Sequence, residues 1–265
     1  NETLTPNLPF TRAWASIDGY ENLMSRPVAD YLAYVGSERT TVNGFAVDSG
    51  INGDERADIL GRRLPALAAG NVRYVLSGVK LEHPQLVERQ SGLIDLPNWS
   101  PVQQSLYVYE LRDWFPRVWF ARDWKTIDVA SASIDVWDAI ARRPAVAMVD
   151  RDPGLPRGAS ETGLLEYQIL RSPRHLKIQV VTDGHGLVVL NEAMYPGWEA
   201  TIDGQPVEMI TVNTMMRGVP VNNSGVHTIV MSYMPPGFPQ AIFLSMLGVG
   251  VLLVLLVLGW RIDRT

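Results

Sequence analysis

Twenty consecutive residues without a charge, Ala241 to Trp260, constrain this chain more than any other stretch in it. At about 1.5 Å of rise per residue, a helix of that length covers about 30 Å, the hydrocarbon thickness of a bilayer. A helix buried in a soluble core usually keeps a polar edge, and this run has none. Trp260 would sit at interfacial depth. Arg261 and Arg264 follow at once, whereas no Lys or Arg occurs between Arg217 and Trp260. The positive-inside tendency then puts residues 261–265 in the cytoplasm as a short tail and everything before Ala241 outside. The expectation is a transmembrane helix over 240–260, contacting the lipid bilayer through residues 241–260. The segment lies too far from the N-terminus, and is too long, for a secretory signal peptide.

An exported body needs something to carry it across. The chain opens Asn1-Glu2-Thr3, with neither a basic n-region nor an apolar h-region. It therefore reads as a C-terminal fragment, preceded by a removed signal peptide or by upstream transmembrane helices. Composition narrows the body further. At 46% hydrophobic and 19% charged residues it is neither disordered nor a fully embedded transporter. The balance of 23 Lys+Arg against 28 Asp+Glu lacks the basic excess that a nucleic-acid partner requires. The absence of cysteine removes disulfide scaffolds, thiolate metal sites and cysteine nucleophiles together. Four scattered histidines (His83, His175, His185 and His227) leave little material for a metal centre. No metal and no cofactor are expected.

The fold class expected is α+β: a mixed α/β N-terminal part, then an antiparallel β-sandwich, then the membrane helix. Residues 1–150 form the mixed part. Ser25 followed by Pro27 marks a helix start, with Val28, Tyr31 and Leu32 on one face. Ile59, Leu60, Leu64 and Leu67 space a second helix over 54–69, kinked at Pro65 and ended by Gly70 as a C-cap. Val72 to Leu76 reads as a short buried strand, and residues 82–104, with Pro84, Pro97 and Pro101, as an irregular loop. Strands follow at Ser105–Leu111 and Arg117–Ala121. A helix over Ser133–Arg143 and a strand over Ala145–Val149 complete the part. Residues 151–162, rich in Gly, Pro, Arg and Asp, read as a linker or long loop.

Residues 163–234 change character to short strands at roughly ten-residue spacing. The strands read are Leu164–Leu170, His175–Val181, Leu187–Leu190, Trp198–Ile202, Val207–Val212, Arg217–Val221 and Val226–Tyr233. Leu176, Ile178 and Val180 face one way, and Lys177 and Gln179 the other. Asp203-Gly204 marks a hairpin turn. Such a series makes an immunoglobulin-like or jelly-roll-like sandwich.

Signals for chemistry are sparse. No phosphate-cradling Gly-rich loop follows a strand, and no Gly-x-Ser-x-Gly elbow exists. His175 and His185 read as solvent-exposed strand ends, and Asp54, Glu55 and Asp58 as acids complementing a helix N-terminus. Asp150 and Asp152 around Arg151 read as a solvated turn. Of the 8 tryptophans, Trp119 suits a core, while Trp114 and Trp124, beside charged residues, suit the surface. Arg12, Trp14, Asp18 and Tyr20 share a non-periodic stretch that combines a guanidinium, two aromatics and a carboxylate. That set suits phosphate and sugar recognition; it suits equally a capped loop in which Asp18 bonds backbone amides.

The segment from Leu187 to Val207 carries Tyr195-Pro196-Gly197-Trp198, a short strand, then Asp203-Gly204. It resembles the C-terminal region of the YfhO family of bacterial multi-pass membrane proteins. Asn213, Arg217-Gly218-Val219-Pro220-Val221, Gly225-Val226-His227-Thr228 and Tyr233 before Pro235-Pro236 continue the likeness. Upstream, Ile17–Leu23, Asn71–Ser77 and Phe115–Phe120 are similar to other stretches of that family, although Glu21 and Asn22 replace its Asp-Pro.

The resemblance implies a glycosyltransferase of the C superfamily, which takes a sugar from a polyprenyl-phosphate carrier outside the cytoplasmic membrane. It implies a lipid-linked sugar and an envelope glycopolymer as partners. The catalytic acid of that superfamily lies in an early loop between N-terminal transmembrane helices, so no catalytic residue is carried onto this sequence. Read by their own chemistry, Pro196 and Gly197 turn the chain, Trp198 fills the sandwich core and Asp203-Gly204 makes the hairpin. Two functions stay open: the extracytoplasmic module of such a transferase, or a non-enzymatic, membrane-anchored envelope-binding or assembly domain.

Overall fold

A computed structural model of the chain describes residues 25–36, 41–42, 45–46, 63–78, 80–95, 103–128, 134–142, 146–156, 164–172 and 174–262. Helix α1 (Arg26–Gly36) starts where Ser25 and Pro27 place it, the Ser25 carbonyl accepting from Ala29 N–H at 3.0 Å. A two-residue ladder, β1 (Thr41–Val42) with β2 (Phe45–Ala46), follows. Residues 63–69 are helical and form α2, and their Leu64, Ala66, Leu67, Ala68 and Ala69 are buried. Its end corrects the glycine expectation by one residue. Asn71, at φ 67°, takes the left-handed position, and Val72 N–H closes back on Leu67 O at 3.0 Å. Gly70 instead clears the Tyr31 ring, which a Cβ would strike. With α3 (Ile134–Arg142), these helices enclose a core around Tyr31, Tyr34, Trp137 and Ile140, the Tyr31 and Trp137 rings 4.6 Å apart. Residues 54–62 lie outside the described residues.

A three-stranded antiparallel sheet places β5 (Gln103–Leu111) between β3 (Tyr74–Ser77) and β4 (Leu86–Asp95). It corrects two expectations. Strand β3 is not buried, since Tyr74 is 50% and Leu76 44% exposed. The supposed loop over 82–104 contains the ten-residue β4. Pro84 precedes that strand and Pro97 follows it, so neither removes a ladder donor from it.

The sandwich has two sheets. A six-stranded sheet runs in the order β6 (Val118–Ala121), β11 (Gly186–Ala193), β15 (Met216–Val221), β14 (Ile210–Val212), β8 (Val146–Val149), β7 (Asp123–Thr126). A five-stranded sheet runs β13 (Gln205–Val207), β12 (Trp198–Ile202), β16 (Gly225–Tyr233), β10 (His175–Thr182), β9 (Leu164–Arg171). Leu176, Ile178, Val180, Ile229 and Met231 of the five-stranded sheet meet Val118, Val188, Leu190, Val219 and Val221 of the other. Each such side chain contributes roughly 1.5–3 kcal/mol of transfer free energy. The opposite face of the six-stranded sheet is covered too, by a cluster with Trp119, Trp124, Val149, Leu187 and Val189. That double burial explains the unbroken apolar run Leu187-Val188-Val189-Leu190.

The six-stranded sheet takes β6, β7 and β8 from before residue 151 and β11, β14 and β15 from after residue 162. Pairing is antiparallel throughout except β7 with β8, which are parallel and joined through α3. Trp124 on β7 is 1% exposed, which corrects its surface assignment: Asp123 and Lys125 point outward and the indole inward. The single strand expected at Val207–Val212 is two strands, because the chain crosses between sheets at Glu208 and Met209. The last strand ends at Pro235-Pro236-Gly237, and α4 (Phe238–Ile262) leaves the body. It is long and apolar enough to cross a membrane, and its Phe238–Leu255 window has no buried residue.

Candidate functional site at the helix end of the sandwich

Strand β11 sets up the site. Between Leu190 and Ala193 its register against β15 shifts, so Asn191 and Glu192 form a bulge in an otherwise apolar strand. Asn191 turns toward the helical layer. Its side-chain oxygen accepts from Trp119 Nε1 at 2.8 Å, and its amide donates to Ala69 O at 3.2 Å and Pro116 O at 3.3 Å. Glu192 turns toward two arginines. Arg117 Nε donates to Glu192 Oε1 at 3.0 Å, and Arg217 Nη1 lies 3.6 Å from Oε2. Arg217 is 4% exposed and donates from Nε and Nη2 to Ala193 O at 3.0 and 2.9 Å. A buried guanidinium needs such pairing, since an unpartnered one would cost several kcal/mol.

The same guanidinium lies over the Trp198 ring, 3.7 Å from its centre. Trp198 is half-buried and packs against the end of the inter-sheet core, with the Tyr233 ring 5.1 Å away. It therefore closes the core at one end rather than filling its middle. Gly197 makes that placement possible. Its φ is 101°, and a Cβ there would collide with the Met234 carbonyl. Tyr195 is 36% exposed and Pro196 is exposed beside it.

Beside Trp198 lies an open cleft of about 650 Å³, lined among others by Met194, Glu199, Thr201, Glu208, Met209 and Ser232. It forms because β13 covers only Ala200–Ile202, leaving the start of β12 without a neighbour on that side. An indole, two carboxylates and two hydroxyls thus border one hollow. Glu208 also pairs with Arg151. Trp198 and Met209 turn to the core side of this sheet edge, and Glu199, Thr201 and Ser232 to its outer side, where carboxylates and hydroxyls suit hydrogen bonds to a polyhydroxylated ligand.

The hairpin at the far end of β12 is held differently. Asp203 (φ 52°) and Gly204 (φ 82°) form the two-residue turn between Ile202 and Gln205. The Asp203 carboxylate accepts from Thr228 N–H at 2.8 Å and meets His227 Nδ1 at 2.8 Å, while His227 Nε2 lies 3.0 Å from Asn223 O. The Thr228 amide, and His227 after it, hold the Asp203 carboxyl below the usual carboxylate range. Both imidazole nitrogens are engaged, so this pair is a turn lock.

Arg12, Trp14, Asp18 and Tyr20 lie outside the described residues, as do Asp54, Glu55 and Asp58. Sequence reasoning singled out Trp198 and the hairpin but missed Arg117, Asn191, Glu192 and Arg217. The available signal was the polar pair Asn191-Glu192 directly after four buried aliphatics. Among the described residues, no group of three or more His, Asp or Glu is placed to hold a metal ion.

Residues 166–245 match the family model described as bacterial membrane protein YfhO. The match runs from β9 into the first turns of α4, so it contains the Tyr195–Trp198 turn, the hairpin and Arg217. It is the family that the Tyr-Pro-Gly-Trp and Asp-Gly segments resemble. The YfhO match and the apolar α4 together make this a membrane-associated protein with a sheet-rich body. No curated protein and no solved structure matches the chain.

Proposed function

We propose that this chain is the extracytoplasmic module, with its membrane anchor, of a bacterial envelope glycosyltransferase that uses a polyprenyl-phosphate sugar. In this reading an acceptor hydroxyl displaces the carrier phosphate at the anomeric carbon. The module holds the glycopolymer acceptor in the cleft beside Trp198, and supplies no catalytic residue from the described part of the chain. The observation that carries the reading is the grouping of Glu199, Thr201, Glu208 and Ser232 along one cleft at the open edge of the sandwich, with Trp198 on its core side. Arg261 and Arg264, behind an uncharged run, support an extracytoplasmic body in the cytoplasmic membrane. Arg12, Trp14, Asp18 and Tyr20 are proposed as a further substrate-facing set, on the chemistry of their side chains.

Filling the cleft tests the reading. Thr201→Trp should lower glycan transfer at least tenfold in membranes carrying the whole natural protein, with its amount in the membrane unchanged. Normal transfer by that variant would remove the cleft from the reaction, and normal transfer by Arg12→Ala and Asp18→Ala would remove the second set. A non-enzymatic envelope-binding domain is the second reading, supported by the same carboxylates and hydroxyls along the cleft. It predicts glycopolymer binding that Thr201→Trp abolishes, with no transfer to lose.

A further inference from the structure

Three connections converge where α4 leaves the body. Tyr233 N–H donates to Arg174 O at 3.0 Å, tying the turn between β9 and β10 to the end of β16. Met234 N–H donates to Gly197 O at 2.9 Å, tying in the turn before β12. Phe238 N–H then donates to Pro235 O at 3.1 Å as the chain bends into the helix, and the Arg174 guanidinium lies 5.7 Å from the centre of the Phe238 ring. No slack segment separates sheet from helix. Because the Phe238–Leu255 window has no buried residue, α4 projects from the body, and these three connections are the parts nearest any bilayer that holds it.

What they present to that bilayer is distinctive. Met234 is 48%, Phe238 37% and Tyr195 36% exposed. Arg174 is exposed among them, and Glu199, opposite Ser232, stands one register step behind Trp198 and Tyr233. Large apolar side chains would be costly to leave in water. Beside tyrosine and arginine they have the composition of a membrane–water interface, where aromatic rings sit among headgroups and a guanidinium meets lipid phosphate.

We propose that Arg174, Tyr195 and Met234 seat in the headgroup layer of the bilayer that α4 enters, so that the sandwich stands on the membrane by this end. Continuity with α4 fixes the occupant as lipid. The opposite end, with Asn222 and Gly225, stands roughly 26 Å away, eight strand residues at about 3.3 Å each. The inference needs only α4 in a bilayer; it is independent of glycosyl transfer and of which side the body occupies.

The cysteine-free sequence permits a direct test. Single variants Tyr195→Cys, Met234→Cys, Asn222→Cys and Val249→Cys of the full chain carry an environment-sensitive fluorophore. They are reconstituted in phosphatidylcholine–phosphatidylglycerol vesicles containing lipid nitroxide-labelled just below the headgroup. Quenching at 195 and 234 should exceed that at 222 at least threefold, with 249 as the reference inside the bilayer. Quenching at 249 while 195 and 234 match 222 would overturn the proposal, leaving a body that swings free of the surface. Absence of quenching at 249 would overturn it as well.

Discussion

Trp198 occupies an indole slot with a guanidinium 3.7 Å from its ring centre, the Tyr233 ring 5.1 Å away and open cleft beside it. Its truncation therefore removes less than a central core residue would. Trp198→Ala should cost about 2 kcal/mol, below the roughly 3–5 kcal/mol of a fully buried tryptophan. Chemical denaturation of the chain in detergent reads this directly, and an unchanged midpoint would show that the indole does no packing. Asp203 gives the pH dependence at this scale. Its folded-state pKa is depressed by the Thr228 amide and by His227, so the unfolded chain binds the proton more readily. The stabilisation is present above the unfolded value of about 3.9 and is lost as pH falls through the folded value. With the side chain 50% exposed, solvent screening keeps it small. Asp203→Asn should accordingly flatten the acid limb of stability below about pH 4. An acid limb unchanged in that variant would move the responsible carboxylate elsewhere, Glu110 being the first alternative because Arg73 and Arg89 hold it low as well.

Among the elements, the sheets divide by how many faces they bury. Strand β11 is covered on both faces, whereas β4 exposes residues 88–93. Hydrogen exchange should follow: β11 amides at least tenfold slower than those of β4, and equal rates would contradict the double-layer packing. The same contrast decides what the sequence made legible. Strand β10 was readable because Leu176, Ile178 and Val180 alternate with Lys177 and Gln179 over a one-sided core. Strand β4 was not, because Glu88-Arg89-Gln90-Ser91 meets water and leaves no period. Trp124 was misread because its charged neighbours on a short edge strand are the outward half of the alternation. The crossing at Glu208-Met209 was hidden inside a run that reads as one strand, and the Arg117–Glu192–Arg217 cluster depends on a bulge that local pattern does not announce. The Tyr195–Trp198 turn and the Asp203-Gly204 hairpin were legible because each needs particular residues at its special backbone angles.

In the whole molecule a two-sheet sandwich joins one apolar helix, with the Trp198–Arg217 stack at the end where that helix begins and the cleft beside it. The residues matched to the YfhO family span both parts, the sheets and the first turns of α4. The proposed orientation puts this body on the extracytoplasmic side of a membrane that α4 is long and apolar enough to cross. An impermeant maleimide applied to intact spheroplasts tests it most directly, using single-cysteine variants of this cysteine-free chain. Asn222→Cys should label fully, and Thr265→Cys only after the membrane is opened. Labelling of Thr265→Cys in intact spheroplasts, with Asn222→Cys protected, would contradict the account.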